Sequence, residues 1–286
     1  MSEAARPRPP SAHERRLRRD RVILIALVAV LVALVMFPFL WMITMSFKPI
    51  DDIFAWPPKL FFTPTFEHYL GLVDDEFAAS FWNSLVTSVG STVVSMVVGV
   101  PAAYALSRME DRIGNRLSLW ILASRMAPPI AFTIPYFLVY RYIGLLDTKL
   151  GLGIIYVTFN LSLAIWLMRT FFDATPRSLE EAAWIDGATL WESFLRIMLP
   201  LSVPGLAATA ILCFLFAWND FFFALILTRT EATTAPVAVV NFMNYEGWEW
   251  GKIAAGGTMV MLPVLVFSIL VRKFLVRGLT AGAIKG

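Results

Sequence analysis

Residues 176–204 read PRSLEEAAWIDGATLWESFLRIMLPLSVP, a charged segment between two apolar stretches of the chain. The segment is far longer than the ~2–8 residues that connect neighbouring helices in a bundle. Its first half presents a small apolar face formed by Ala182, Ala183 and Ala188, a surface that fits a groove of another protein. Pro200 lets the chain turn into the following apolar stretch. We expect a docking element here, and a plain connection between two membrane helices is the alternative.

Two capping boxes and a glycine divide this segment into two short helices. Ser178 with Glu181, and Thr189 with Glu192, each follow the Ser/Thr-x-x-Glu pattern that caps a helix start. Gly187 lies between the two boxes, at a place where a left-handed backbone would cost other residues ~1–2 kcal/mol. The pattern predicts a rigid elbow: one helix after Ser178, a bend at Gly187, and a second helix after Thr189.

The composition outside the elbow is that of a membrane protein. Of the 286 residues, 58% are hydrophobic and 16% are charged, whereas soluble domains average about 45–50% and about 25%. A helix needs about 20 apolar residues to cross a bilayer. The chain is therefore predicted to be an all-α polytopic membrane protein whose elbow, residues 176–200, lies between helices four and five. The six predicted transmembrane helices cover about 22–46, 80–106, 117–140, 151–172, 201–228 and 253–274.

Lysine and arginine positions predict the orientation. With the N-terminus inside, most of the 24 Lys and Arg residues fall on the cytoplasmic side, as the positive-inside rule requires. Both termini and the elbow are then cytoplasmic. The first apolar run is too long for a cleaved signal peptide, so we expect it to be retained. The predicted organisation is a disordered basic tail (1–19), a membrane domain (20–276) and a cytoplasmic C-terminal tail (277–286).

Several kinds of site are excluded by the residue counts. Cys213 is a single cysteine, and His13 and His68 are the only histidines, so neither an intramolecular disulfide nor a multi-histidine metal site is available. The net charge of +3 gives no indication of nucleic-acid binding. The phosphate-loop pattern GxxxxGK[ST] is absent, so the chain is not itself an ATPase of that type.

Asp220 is the main candidate for a transport pathway. A carboxylate inside a membrane span is costly unless it is paired or hydrated, and the adjacent Trp218 and Asn219 are suited to stacking on a sugar and bonding its hydroxyls. Alternatively, Asp220 sits at a polar helix break or pairs with Arg125 to orient the bundle. The third span should be kinked or broken by its prolines, Pro128, Pro129 and Pro135.

The elbow resembles the EAA loop of permease subunits of ATP-binding-cassette (ABC) importers. The matching residues are Glu181-Ala182-Ala183, Asp186-Gly187-Ala188, Ile197, Leu199-Pro200 and Pro204. The similarity continues through Arg125-Met126, Pro128-Pro129, Ile134-Pro135, the run 144–148, Trp218-Asn219-Asp220, the run 222–225 and the ending 278–286. These motifs are similar to the maltose-permease G-type subunit of carbohydrate uptake family 1.

The resemblance implies a non-enzymatic subunit that binds no cofactor or metal itself. Such a subunit pairs with a homologous second permease subunit in the lipid of the bacterial inner membrane. A dimer of ABC ATPase subunits holds ATP and Mg²⁺, and an extracytoplasmic substrate-binding protein delivers a sugar, polyol or related carbohydrate. The positions implied to couple to the ATPase are Glu181, Ala182, Ala183, Asp186, Gly187, Ala188 and Pro200.

Two other functions compete with this one. A proton-coupled secondary transporter would need relay carboxylates within its spans, for which Asp220 is the only good candidate. A polytopic membrane enzyme would need a compact acid/base or metal constellation. Neither function accounts for the capped elbow.

Overall fold

The computed structural model describes residues 12–74, 76–244 and 247–283 of the chain. The first half contains α1 (Ala12–Ser46), α2 (Ile50–Ile53), α3 (Glu67–Asp74), α4 (Phe77–Arg108), α5 (Asp111–Arg125), α6 (Pro129–Ile143) and α7 (Lys149–Asp173). The second half contains α8 (Ser178–Ile185), α9 (Leu190–Ser193), a π-helical turn (Phe194–Met198), α10 (Leu199–Leu201), α11 (Val203–Trp218), α12 (Phe222–Leu227), α13 (Ala235–Asn241), the antiparallel strands β1 (Met243–Asn244) and β2 (Gly247–Trp248), and α14 (Trp250–Ala283).

Four of the described helices, α1, α4, α7 and α14, are long and apolar enough to cross a membrane. Two bent pairs raise the number of candidate spans to as many as six. In one pair α5 meets α6 at 80°, and in the other the segment Leu190–Leu201 meets α11 at 77°. The predicted all-α polytopic membrane fold is confirmed.

Two of the predicted spans are interrupted helices. The span predicted at 117–140 breaks between α5 and α6, because Pro128 and Pro129 lack the N–H groups that a continuous helix would use. Pro135 lies inside α6 without ending it. The span predicted at 201–228 starts at Val203 and is divided at residues 219–221, between α11 and α12.

The helices at both ends are longer than the sequence predicted. Helix α1 begins at Ala12, inside the tail predicted at 1–19, because residues 12–19 are mostly good helix formers and continue directly into the apolar run. Helix α14 continues to Ala283, beyond the predicted end at 274 and into the predicted tail 277–286. Residues 1–11 and 284–286 lie outside the described residues.

The centre of the bundle is the pair α4 and α7. Small side chains let these helices approach closely, and a Cβ on Gly99 would lie 3.0 Å from the Cβ of Ala164. Such small-residue contacts are the usual way membrane helices associate. By contrast, α1 packs mainly against α14, and none of its most apolar window is buried. The buried face of α4 includes Ser80, Ser84, Thr87, Ser88, Ser91 and Ser95.

Candidate functional site

The bend and the second start of the elbow form as predicted. Gly187 has a left-handed backbone with φ +88°, and beside it the Ala188 N–H donates to the Ala183 carbonyl at 2.9 Å. The second capping box is complete: the Thr189 N–H donates to Glu192 Oε2 at 2.9 Å, and the Glu192 N–H donates to Thr189 Oγ1 at 3.2 Å. Hydrogen bonds from the Thr189 backbone and hydroxyl, with the nearby positive charge of Arg196, lower the pKa of Glu192.

The first capping box is wrong. No side chain caps α8, because Arg177 already has a helical backbone (φ −62°, ψ −27°) and its carbonyl accepts the Glu181 N–H at 3.1 Å. That is the donor which Ser178 was expected to satisfy. The turn predicted at Pro200 also lies elsewhere. Pro200 sits in the first turn of α10, where a missing N–H is harmless, and the 77° bend follows Leu201.

A buried ion pair fixes the elbow to the bundle. Glu180 is 1% exposed and accepts a hydrogen bond from the Tyr104 hydroxyl. Its Oε2 also forms a salt bridge with Arg108, whose Nε donates to it at 2.5 Å. Both partners lie at the end of α4. The sequence reasoning did not single out Glu180, because the adjacent Glu181 matched the motif.

The predicted coupling residues lie on the outer surface of the elbow. Apolar side chains that the sequence reasoning missed accompany them: Ile185 is 87% exposed, and Trp184 and Trp191 are also exposed. Exposed apolar groups inside a polar rim are typical of a protein contact surface. Glu181, Ala182, Asp186, Gly187 and Pro200 are exposed, and Ala183 and Ala188 are half-buried.

The bend of the elbow encloses a polar concavity of about 340 Å³. The carboxylates of Asp186 and Glu192 and the guanidinium of Arg196 are on its wall, with the glycine of the bend between them. This concavity follows the exposed Ile185 directly in the chain, so the elbow offers a polar and an apolar contact feature. Its lining is Ala183, Asp186, Gly187, Ala188, Glu192 and Arg196.

A second candidate site is a cavity of about 230 Å³ where the two interrupted spans face α7. Arg125 donates from Nη1 to the Phe159 carbonyl at 3.3 Å and stacks on the Phe216 ring at 4.3 Å. Asp220 accepts at Oδ2 from the Tyr156 hydroxyl, at 3.1 Å. Among the described residues, no salt bridge joins Arg125 and Asp220. The cavity is lined by Arg125, Pro129, Tyr156, Phe159, Asn160, Phe216, Ala217, Asp220 and Phe223.

Of the three predicted pathway residues, only Asp220 lines this cavity. Trp218 is 1% exposed and packs in the core, where its indole N–H donates to the Val260 carbonyl at 3.0 Å. Asn219 is exposed, and its side-chain amide donates to the Leu215 carbonyl at 2.8 Å. Asp220 also accepts the Ala224 N–H at 3.1 Å, so it stabilises the start of α12 at the helix break.

Asp147 ties together the two loops that follow α6 and α12. Its carboxylate accepts hydrogen bonds from the backbone N–H groups of Arg229, Thr230, Glu231 and Ala232, at 2.8–3.2 Å. Burial raises the pKa of Asp147, but these four donors outweigh burial and lower the pKa from 3.8 to about 2. In the sequence this residue stands out only as part of the run 144–148, which resembles the permease family.

The described residues contain no group of three or more His, Cys, Asp or Glu side chains that could hold a metal ion. Bundle, elbow and intramembrane polar cavity together define a membrane transport component. Residues 95–279 match the family described as "Binding-protein-dependent transport system inner membrane component", and the chain belongs to this family. It is therefore a multi-pass component of the inner membrane and not an enzyme.

Named relatives cover nearly the whole chain. The trehalose transport system permease protein SugB of Mycobacterium tuberculosis is 42% identical over 87% of this chain and 92% of its own length. The trehalose/maltose transport system permease protein MalG of Thermococcus litoralis is 35% identical over 92% and 97%. A crystal structure of a bacterial ABC transporter that imports the acidic polysaccharide alginate contains a chain with TM-score 0.74 and 27% identity, covering 93% of this chain and 99% of that one. The predicted resemblance to ABC importer permeases is confirmed.

Proposed function

We propose that this chain is one of two permease subunits of an ABC importer for a sugar, polyol or related carbohydrate. The relatives named for trehalose and maltose transport, at 42% and 35% identity, support this substrate class. Substrate would pass between this chain and a homologous second permease subunit. We place both in the lipid of a bacterial inner membrane, with residues 20–276 as the permease domain.

The exposed elbow is the observation that carries this proposal. Its outer face combines Ile185, 87% exposed, with a polar concavity lined by Asp186 and Glu192. A partner protein that covers such a face buries apolar area and forms hydrogen bonds that fix its orientation. We assign it to a groove of one subunit of an ATPase dimer, which holds ATP and Mg²⁺. The contact residues would be Glu181, Ala182, Ala183, Asp186, Gly187, Ala188 and Pro200.

The charge distribution supports the orientation. The Arg and Lys residues cluster in the N-terminal segment, around the elbow and after residue 271, which supports a cytoplasmic location for these parts. The two loops joined by Asp147 would then face the opposite side, where an extracytoplasmic substrate-binding protein would deliver the carbohydrate. Asp220 would line the pathway between the two sides. Trp218 and Asn219 stay predictions as pathway residues, and neither lines the cavity.

A matched pair of glycine substitutions tests the coupling role. Gly187 and Gly144 both have left-handed backbones, with φ +88° and +72°, and neither would place a Cβ within 4 Å of another group. Valine at either position therefore carries the same kind of backbone strain, ~1–2 kcal/mol. Only Gly187 lies on the elbow.

The assay uses the complete importer in proteoliposomes, with trehalose, maltose and diacetylchitobiose as substrates. We expect Gly187→Val to reduce substrate-stimulated ATPase activity and uptake together, while Gly144→Val keeps most of both. Equal effects of the two substitutions would show that the elbow is not the coupling element. Wild-type importer that takes up none of a wider panel of sugars and polyols would contradict the substrate class.

A further inference from the structure

The cavity of about 230 Å³ lies where both interrupted spans open toward α7. Arg125 is the last residue of α5 and Pro129 the first of α6, while Asp220 lies in the break between α11 and α12. A helix break inside a membrane leaves backbone groups without helical partners, which is tolerated where they face protein or a polar cavity. Two breaks meeting at one cavity indicate a site built for a polar occupant.

The charged groups of this cavity have unused bonding capacity. A guanidinium has five N–H donors, and Arg125 uses one of them, on the Phe159 carbonyl. Asp220 accepts from the Tyr156 hydroxyl and the Ala224 N–H, and a carboxylate has about four acceptor positions. Because no salt bridge joins the two among the described residues, both keep capacity for a third group between them.

Aromatic rings form the remaining wall. The Phe159 and Phe223 rings lie 5.0 Å apart between centroids, and Phe216 carries the Arg125 guanidinium on its face. A sugar ring matches this combination, since its hydroxyls donate and accept while its C–H face is apolar. The volume of about 230 Å³ is below the roughly 300–1,000 Å³ of pockets for drug-sized ligands, which suits one ring.

We propose that the Arg125–Asp220 cavity is a subsite for one uncharged sugar ring, in which Asp220 accepts and Arg125 donates hydrogen bonds to ring hydroxyls. The proposal rests on the proposed carbohydrate import. A neutral ring is favoured because its hydroxyls can donate to Asp220 and accept from Arg125 at the same time, while the opposite charges of the two side chains give the cavity no net charge to match an ionised ring. An acyl chain is disfavoured because it would leave the unused donors of Arg125 and the unused acceptor positions of Asp220 without partners.

The test compares trehalose with its monodeoxy analogues in the complete importer. Uptake rates are measured for wild type, Asp220→Asn and Arg125→Gln, with Asn219→Ala as the control because Asn219 is adjacent to Asp220 but does not line the cavity. The same binding protein delivers every sugar to every variant. Its own preference among the analogues therefore cancels when the variants are compared.

In wild type we expect at least one analogue to be transported about 10- to 100-fold more slowly than trehalose, the range for loss of a hydrogen bond to a charged group. Asp220→Asn should remove most of the penalty for the analogue whose hydroxyl it binds, and Asn219→Ala should keep it. Arg125→Gln should remove the penalty for a different analogue. This result tests the subsite by itself if the Asp220→Asn importer does not assemble.

Penalties that stay within twofold of wild type in every assembled variant would overturn the subsite while leaving carbohydrate import intact. Wild-type importer that takes up none of a wider panel of sugars and polyols would overturn the proposed function itself, and the subsite with it. A general loss of uptake with unchanged ratios among the analogues also counts against the subsite, because a purely structural role of Asp220 predicts that result.

Discussion

Two adjacent glutamates of the elbow should respond to substitution in opposite ways. Glu180 is 1% exposed and its carboxylate is bonded to Tyr104 and Arg108, whereas the Glu181 side chain is exposed and has no hydrogen bond or ion pair among the described residues. Removing Glu180 leaves the Arg108 guanidinium, whose side chain is 11% exposed, without its carboxylate. Breaking one partner out of a buried ion pair typically costs ~3–5 kcal/mol.

The remaining contacts of Arg108 are weaker. Its guanidinium also reaches the Ser107 carbonyl at 3.3 Å and hydroxyl at 3.2 Å, and the Met198 sulfur at 3.7 Å. These contacts partly stabilise the unpaired Arg108 charge, so we expect Glu180→Ala to lower the free energy of unfolding by about 3 kcal/mol. Glu181→Ala should change it by less than ~0.5 kcal/mol, as other exposed substitutions do.

The measurement combines denaturant titration of the purified complex with the ratio of sugar imported to ATP hydrolysed in proteoliposomes. Glu180→Ala should lower both stability and that ratio, because the elbow is then no longer held to α4. Glu181→Ala should keep stability and lose stimulated ATPase activity. The double variant Glu180→Gln with Arg108→Gln should recover much of the stability, since it leaves no unpaired charge. A Glu180→Ala protein as stable and as well coupled as wild type would refute this reasoning.

Three further predictions concern single residues at both ends of the bundle. Thr189→Ala should destabilise the elbow by ~1 kcal/mol through loss of a cap, while Ser178→Ala, which removes no cap, should cost less than ~0.5 kcal/mol in the same titration. Ile185→Lys should leave the stability of the isolated permease unchanged and weaken its association with the ATPase at least ~10-fold in a binding assay, since it places a charge at the contact centre. Asp147→Asn should lower the free energy of unfolding by ~1 kcal/mol at neutral pH. The lowered pKa corresponds to ~2.5 kcal/mol, and we reduce this figure because solvent screens the partly exposed carboxylate. Because that pKa falls from 3.8 to about 2, the difference from wild type should close as the pH of the melting assay falls through this range.

Local patterns were sufficient for those parts of the elbow that depend on local interactions. A glycine at the bend and a Thr-x-x-Glu cap act within one helical turn, so Gly187 and Thr189 could be assigned from the sequence. Ser178 follows the same pattern but does not cap its helix, because Arg177 is already helical and its carbonyl accepts the Glu181 N–H. A capping box therefore predicts a start only where the chain before it is extended.

Contacts between distant residues could not be predicted in the same way. Nothing local separates Glu180 from its neighbour, since the partner that buries it is Arg108, 72 residues earlier. The sequence places Arg125 and Asp220 within predicted spans, but it does not show that they line one cavity, because that depends on two helix breaks. Trp218 stays a prediction as a pathway residue, and the sequence did not indicate that its indole N–H donates to the Val260 carbonyl of α14, 42 residues later.

The helix α7 connects the two candidate sites mechanically. At one end Met168 and Phe172 pack against Phe194 of the elbow, and about 24 Å further along, at 1.5 Å per residue, Tyr156 lines the cavity. This helix is unbroken, whereas the spans facing it are divided at the cavity. We therefore expect a displacement of the elbow to be carried along α7 as a rigid element, with the strain taken up at the breaks, where helical hydrogen bonds are already missing. We infer that movement of the elbow changes the shape of the cavity before it changes the packing of α4 against α7.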